Sequence, residues 1–142
     1  MQLNDMGLLR TKAYIDGKWC DADSGATFPV INPATGEILT AVAACDAADV
    51  DLAVAAGRRA FADGRWARQA PGERKAVLLK LAELIRDNLE EMALLDSLDM
   101  GKLVMDAAAI DAPGSAHFFQ WYAEAIDKLY DEVAPTGPGD PA

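Results

Sequence analysis

The chain has 142 residues, of which 51% are hydrophobic, enough for one domain with a substantial apolar core. Its 23 acidic residues outnumber its 13 basic residues, and the formal net charge of −10 argues against a nucleic acid or an anionic membrane as partner. No run of about 18 apolar residues and no N-terminal signal pattern is present, which predicts a cytoplasmic protein. Seven bases lie between Arg58 and Lys80, where helical spacing disperses them over a solvated face.

The N-terminal region predicts a short hairpin behind a disordered arm. Residues 1–11 show no periodicity, so we expect them to be disordered. Asp16-Gly17 separates two short β-prone runs, and this dipeptide is a strong hairpin signal. We therefore predict strands at 13–15 and 18–20.

A second, looser hairpin follows around an Asn-Pro turn. The apolar runs 28–31 and 38–43 flank the sequence Asn32-Pro33-Ala34-Thr35-Gly36-Glu37. Asn32 can bond its own backbone, Pro33 fixes φ, and Gly36 tolerates a positive φ. The pattern predicts a sharp reversal between two strands.

The next segment predicts two helices. Asp46 is a suitable N-cap for a helix over 47–62, with Asp49 in its first turn. An apolar stripe on this helix is predicted to face the core, and it comprises Val50, Val54, Gly57 and Phe61. A second helix begins near Pro71 and breaks near Asp87-Asn88.

The remainder predicts two more helical stretches. One runs from about Leu89 to Met100 and ends at Gly101, which places Asp99 near the negative end of the helix dipole. An acid is unfavourable at that end of a helix, so a specific role for Asp99 is one interpretation, and a surface acid that is merely tolerated is an equally good one. The other stretch starts at Val104, is kinked or restarted near Asp111, and continues to Val133. A Pro/Gly-rich tail over 134–142 follows.

Catalytic arrangements are missing from the sequence. His117 is the only histidine, and it lies beside Phe118 on a helix, where packing or partial exposure is a simpler role than general-base chemistry. Cys20 and Cys45 lack CxxC spacing, and the acidic cap after Cys45 should raise its pKa, so neither is a candidate nucleophile. No Gly-rich phosphate-binding motif occurs. The aromatic side chains Trp19, Trp66, Trp121 and Tyr122 could line a ligand site, but they are more typical of core residues.

The order of elements predicts a mostly α chain, with four helical stretches and two short N-terminal β-hairpins. Two hairpins provide too little sheet to cover these helices, so several amphipathic faces need a partner outside the chain.

Five motifs in order resemble the N-terminal segment of the aldehyde dehydrogenase superfamily, an α/β fold. They are Tyr14-Ile15-Asp16-Gly17-Lys18-Trp19, the Ile31–Glu37 turn, Trp66 to Arg74, Leu98-Asp99-Met100-Gly101-Lys102, and Trp121-Tyr122-Ala123-Glu124. The stretch 121–136 is most similar to γ-glutamyl-γ-aminobutyraldehyde dehydrogenases, within the group that also holds betaine aldehyde dehydrogenases.

The resemblance implies NAD(P)-dependent oxidation of an aldehyde to a carboxylic acid through a cysteine thiohemiacetal. It also implies that residues 12–133 are the N-terminal part of the cofactor-binding domain. In the family, the cofactor sheet, the nucleophile, the general base and the oxyanion-hole asparagine follow the region matched here. We therefore expect no catalytic or cofactor-binding residue in this chain, and no binding of NAD(P) by the chain alone.

The resemblance also implies one cation-binding site within this chain. Many family members hold a structural monovalent cation, Na⁺ or K⁺, with backbone carbonyls beside the Asn-Pro turn and the acid of the Leu-Asp-x-Gly-Lys motif. The matching positions are Val30, Ile31 and Asp99, and oxygen ligands suit a hard cation. Met100 and Leu103 depart from the commoner residues of the motif.

The leading hypothesis is a truncated aldehyde dehydrogenase that is inactive alone. The alternative is a non-catalytic interaction protein that docks on itself or on a full-length homologue through its exposed helical faces.

Overall fold

The computed structural model describes residues 8–130, and the predicted hairpins are present in it. β1 (Ala13–Ile15) pairs antiparallel with β2 (Lys18–Cys20), and β3 (Thr27–Ile31) pairs antiparallel with β4 (Ile38–Ala43). The two pairs form separate two-stranded sheets, although Ala43 N donates to Thr11 O at 2.8 Å and so ties them together. Of the arm predicted over 1–11, residues 1–7 lie outside the described residues, as does the tail at 134–142. Residues 8–11 are described, and Leu8, Leu9 and Arg10 line a cavity against β3–β4 and α3.

The predicted helices are also present. They are α1 (Ala47–Ala62), α2 (Pro71–Asp87) and α3 (Leu89–Met100), and then one continuous stretch of three segments: α4 (Val104–Asp106), a π-helix (Ala107–Asp111) and α5 (Ala112–Ala125). The irregularity expected near Asp111 is therefore a wider helical turn just before Ala112. The chain is mostly helical with two short hairpins, as predicted.

A capping box starts α1. Asp46 Oδ1 accepts from Ala48 N at 2.9 Å, and Asp49 Oδ2 accepts from Asp46 N at 3.0 Å. The other oxygen, Asp49 Oδ1, accepts from Asp23 N at 3.0 Å. The Asp49 side chain is buried, so it joins the loop before β3 to the start of α1 while satisfying backbone donors.

The last helix is shorter than predicted. The α-helix ends at Ala125, and the tighter bonds Ile126 N→Ala123 O and Lys128 N→Ala125 O close the chain into a turn. Lys128 Nζ donates to Glu124 O at 2.6 Å and so satisfies a carbonyl at the helix end. Leu129 is outside the helix and exposed, and Val133 lies outside the described residues.

The core is thin, contrary to the substantial core expected from composition. Among the described residues, the buried apolar side chains are mostly alanines, with Ile85 and Leu94 the only large ones. Helix α2 packs on α5, and α3 packs on the π-helix. Trp19, Trp66 and Trp121 are at least 43% exposed, so the assignment of the tryptophans to the core was wrong for this chain.

The predicted inward stripe of α1 is also exposed. Phe61 is 83% exposed, and Val50 and Val54 are half-exposed. Of the stripe, Gly57 borders the β1–β2 hairpin, where it and small residues such as Ala56 line a cavity with Tyr14 and its neighbours. The stripe is uncovered because no second layer lies over α1 in the described region.

Candidate functional site at the Asn-Pro turn and the end of helix α3

The Asn-Pro turn forms as predicted. Asn32 Oδ1 accepts from Ala34 N at 2.9 Å, and Asn32 O accepts from Gly36 N at 2.8 Å. Gly36 has φ +75°, a conformation that favours glycine. Asn32 N donates to Glu37 O at 2.9 Å, which closes the reversal between β3 and β4.

A β-bulge lies directly before the turn. Val30 pairs with Thr40 and Ile31 pairs with Ile38, so Leu39 is an extra residue on β4. A bulge disrupts the ladder locally and leaves one residue outside the regular pairing. The irregularity falls at Val30 and Ile31, the two residues whose carbonyls were predicted as cation ligands.

The turn packs against the end of helix α3. Gly101 has φ +77° and is the left-handed C-cap. A Cβ built at Gly101 would lie 2.8 Å from Pro33 Cγ, so the ring of Pro33 sits directly on this glycine. The two motifs, far apart in sequence, are therefore neighbours in the fold.

Val30 and Asp99 line one cavity of about 550 Å³ between β3–β4, α3 and the π-helix. Its other lining includes two further acids, Asp96 and Asp111, together with Arg10. Ile31 lies beside Val30 at the bulge and is half-exposed. The structure thus brings two of the three predicted ligand positions into one cavity, whereas Ile31 does not line it.

Lys102 has a partner that sequence reasoning missed. Its ammonium pairs with Asp111 Oδ2 at the end of the π-helix, and this hydrogen bond raises the pKa of Lys102 above its ordinary value. Ser97 Oγ donates to Lys102 O at 2.7 Å and fixes the backbone of the same corner. The sequence did not predict this pairing, because a contact across a helix corner leaves no periodic signal.

The two cysteines and the histidine do not line the cavity beside the turn. Desolvation, followed by the nearby Asp49 carboxylate, raises the pKa of the Cys45 thiol, in the direction expected from its acidic surroundings. Cys20 and Cys45 are both free thiols, and His117 is exposed on α5. Within residues 8–130, no group of three His, Cys, Asp or Glu side chains is placed to hold a metal ion.

In the same region, no helix has both the length and the apolar character needed to cross a membrane.

Comparison with known sequences decides the family. The sequence profile of the aldehyde dehydrogenase family matches residues 19–141. The chain belongs to the aldehyde dehydrogenase family. It is 53% identical over 129 residues to aminoacetaldehyde dehydrogenase of Pseudomonas aeruginosa, a match that covers 91% of this chain and 26% of that protein. It is 41% identical to the NADP/NAD-dependent aldehyde dehydrogenase PuuC of Escherichia coli, covering 90% of this chain and 26% of that protein.

Solved aldehyde dehydrogenases share the fold of this segment. The γ-glutamyl-γ-aminobutyraldehyde dehydrogenase of Burkholderia cenocepacia superposes with a TM-score of 0.87 at 48% identity, covering 93% of this chain and 27% of that one. The P. syringae indole-3-acetaldehyde dehydrogenase AldA, solved with NAD⁺ and IAA, gives 0.86 at 50% identity, covering 92% and 26%. This aldehyde dehydrogenase chain therefore spans about a quarter of the length of the relatives it matches.

Proposed function

We propose that this chain serves as the N-terminal part of the cofactor-binding domain of an NAD(P)-dependent aldehyde dehydrogenase, which oxidises an aldehyde to a carboxylic acid. The observation that carries the proposal is the 53% identity to aminoacetaldehyde dehydrogenase over 91% of this chain. The proposed role is structural, in that the segment supports an active site made by other parts of the enzyme. The cytoplasmic location predicted from the sequence stays a prediction.

The proposed substrate is an aldehyde that carries an amino or amido group. The support is the likeness to aminoacetaldehyde and γ-glutamyl-γ-aminobutyraldehyde dehydrogenases, at 53% and 48% identity. The indole-3-acetaldehyde dehydrogenase at 50% identity names an aromatic aldehyde instead.

The cavity beside the Asn-Pro turn does not suit NAD(P). The cavity of about 550 Å³ is lined by the carboxylates of Asp96, Asp99 and Asp111. These acids would repel the pyrophosphate of a dinucleotide, and the sequence has no Gly-rich phosphate loop beside them. We therefore do not place NAD(P) in this cavity, and the absence of catalytic and cofactor-binding residues from this chain stays a prediction.

The corner between the turn and α3 is the candidate site for a monovalent cation. We propose Na⁺ or K⁺ held by the carbonyls of Val30 and Ile31 and by the carboxylate of Asp99. The support is the bulge at Val30 and Ile31, the cavity shared by Val30 and Asp99, and the preference of hard cations for oxygen ligands. In the graft described in the next paragraph, KCl should raise the melting temperature more than choline chloride does. Asp99→Asn should abolish this difference, whereas Asp51→Asn should preserve it. Equal KCl effects in both variants would reject the site.

A graft tests the function itself. Residues 8–130 of this chain would replace the aligned segment of P. aeruginosa aminoacetaldehyde dehydrogenase, to give one continuous polypeptide. We expect the graft to fold and to reduce NAD⁺ in the presence of aldehyde, because the two segments share 53% of their residues and solved family members such as AldA have the same backbone fold over this segment. The controls are the relative without its aligned segment and the present chain alone, and both should be inactive.

A second candidate function is a non-catalytic interaction protein that docks on itself or on a full-length homologue. The observation that favours it is the exposure of large apolar side chains such as Phe61, Leu103 and Tyr130. Sedimentation of the purified chain, alone and with a full-length homologue, tests this candidate. An inactive graft together with a stable complex would favour it over the enzymatic role.

A further inference from the structure

The three carboxylates that line the cavity beside the Asn-Pro turn have different partners. Asp96, Asp99 and Asp111 all border this space of about 550 Å³. Within residues 8–130, Asp111 is the one member of the three that forms an ion pair, because Lys102 Nζ contacts its Oδ2. The Lys102 and Asp111 side chains are 32% and 38% exposed, so the pair is partly shielded from water. Asp111 therefore brings the positive charge of Lys102 to the edge of the cavity.

The position and the charge of Lys102 are both fixed by this corner of the fold. Ser97 Oγ donates to Lys102 O at 2.7 Å, and α3 packs on the π-helix whose last residue is Asp111. The hydrogen bond to Asp111, with a smaller contribution from the carboxylate of Asp96, raises the pKa of Lys102. Its ammonium group is therefore charged at neutral pH.

Arg10 supplies a second positive charge at the same cavity. Arg10 lines the cavity, and its guanidinium carbon lies 5.4 Å from the centroid of the Trp19 ring. Three carboxylates set against one guanidinium and one ammonium group leave one net negative charge around the space. Without the charge of Lys102, the same space would have two.

The net charge of a site discriminates between monovalent and divalent cations. The cost of removing an ion from water grows with the square of its charge, whereas its attraction to a given site grows only in proportion to its charge. A divalent cation therefore needs more negative charge around it, and Ca²⁺ sites are tuned by the number of charged ligands. One net negative charge suits Na⁺ or K⁺ better than Ca²⁺.

We propose that Lys102 makes the cation site selective for monovalent over divalent cations, by neutralising Asp111 at the edge of the cavity. Lys102 is a specificity-determining residue in this account, and it acts through Asp111 without binding the ion itself. The inference rests on the cation site of the proposed function, formed by Val30, Ile31 and Asp99.

Calorimetric titration of the graft with CaCl₂ tests this inference. Lys102→Met removes the ammonium group and leaves Asp111 unneutralised, so this variant should bind Ca²⁺ at least about tenfold more tightly than the unsubstituted graft. In the same variant, CaCl₂ should raise the melting temperature more than choline chloride of equal ionic strength does. Lys80→Met is the matched control, because it frees Glu83 from an exposed ion pair and should not increase the affinity for Ca²⁺.

A double variant separates charge from packing. Lys102→Met combined with Asp111→Asn removes the ion pair but restores the net charge of the corner, so its affinity for Ca²⁺ should return to that of the unsubstituted graft. Lys102→Arg keeps the charge and should keep the selectivity. A double variant that binds Ca²⁺ as tightly as Lys102→Met would show that the charge of Asp111 is not the cause, and it would overturn the inference.

Lys102→Gln covers the case in which Lys102→Met does not fold. Its amide can still donate to Asp111 while the charge is lost, so it should show the same gain in affinity for Ca²⁺. If neither variant folds whereas Lys102→Arg does, the role of Lys102 is structural and the inference is wrong.

The outcomes separate this inference from the proposed function. If stabilisation by KCl does not depend on Asp99, the cation site is rejected and the role of Lys102 is rejected with it. If KCl acts through Asp99 but Lys102→Met gains no affinity for Ca²⁺, the site stands and the inference alone fails. An equal gain in Lys80→Met would show that Ca²⁺ binds any freed surface carboxylate, and it would also reject the inference.

Discussion

At the scale of single residues, the start of α1 depends on two carboxylates, Asp46 as the N-cap and Asp49 as a buried acceptor for the loop before β3. The N-cap role of Asp46 follows from its place before a periodic run, and the structure confirms it. The bond from Asp23 N to Asp49 joins residues that no local pattern connects. Burial of Asp49 could not be predicted either, because a first-turn acid is ordinarily exposed.

Asp49→Asn should lower the free energy of unfolding by about 1 to 3 kcal/mol. Both carboxylate oxygens accept backbone N–H bonds at 3.0 Å, and an amide has only one acceptor oxygen. One buried donor would therefore face the amide NH₂ group. Urea denaturation followed by circular dichroism measures the loss. Asp51→Asn, at an exposed position of the same helix, is the control, and equal midpoints for the two variants would contradict the role of Asp49.

Gly101→Ala should destabilise the chain by about 1 kcal/mol more than Gly36→Ala. Both glycines have φ near +75°, so both substitutions carry the cost of a left-handed side chain. Only at Gly101 would the new Cβ meet Pro33 Cγ at 2.8 Å, whereas nothing lies within 4 Å at Gly36. Denaturation midpoints of the two variants give the difference. Identical losses would mean that the turn does not pack on the end of α3.

At the scale of elements, the pattern predicted which segments are helices or strands but misplaced their apolar faces. Periodicity marks one apolar side of a helix, and it does not tell whether the residues that cover that side are in the same chain. The stripe of Val50, Val54 and Phe61 is regular and yet exposed. The sequence predicted a kink or restart near Asp111, but it did not predict the π-helix that lies there.

The link between α2 and the turn after α5 should make stability depend on pH. Lys75 Nζ donates to Asp127 Oδ2 at 2.5 Å, and this bond, aided by Lys128, holds the pKa of Asp127 below its ordinary value of 3.8. A lowered folded pKa means that the stabilisation is present above about pH 4 and is lost as the pH falls through the folded value.

Asp127→Asn should therefore lose less stability than the wild type when the pH falls below about 4. At neutral pH its effect should be small, because Asp127 is half-exposed and surface pairs are weak. Melting temperatures from pH 7 to pH 2.5 would show two curves that converge on acidification. Parallel curves would mean that the pair contributes nothing to the stability of this corner.

At the scale of the whole molecule, composition predicted the core wrongly, whereas the order of the motifs predicted the family correctly. A hydrophobic content of 51% predicted a substantial core, but the large apolar side chains of the described region are mostly exposed. The hypothesis that the helices need a partner outside the chain accounts for both facts. The family followed from five short motifs in order, whereas the ligand corner needed the fold, because the Asn-Pro turn and Asp99 meet only in three dimensions.

The most direct test of the central claim is the rate of aldehyde-dependent NADH formation by the graft. If this segment supports an active site formed elsewhere in the enzyme, kcat/KM of the graft should lie within about tenfold of the intact P. aeruginosa enzyme. The relative without its aligned segment should show no activity. A folded graft without activity, or aldehyde oxidation by the 142-residue chain alone, would contradict the account.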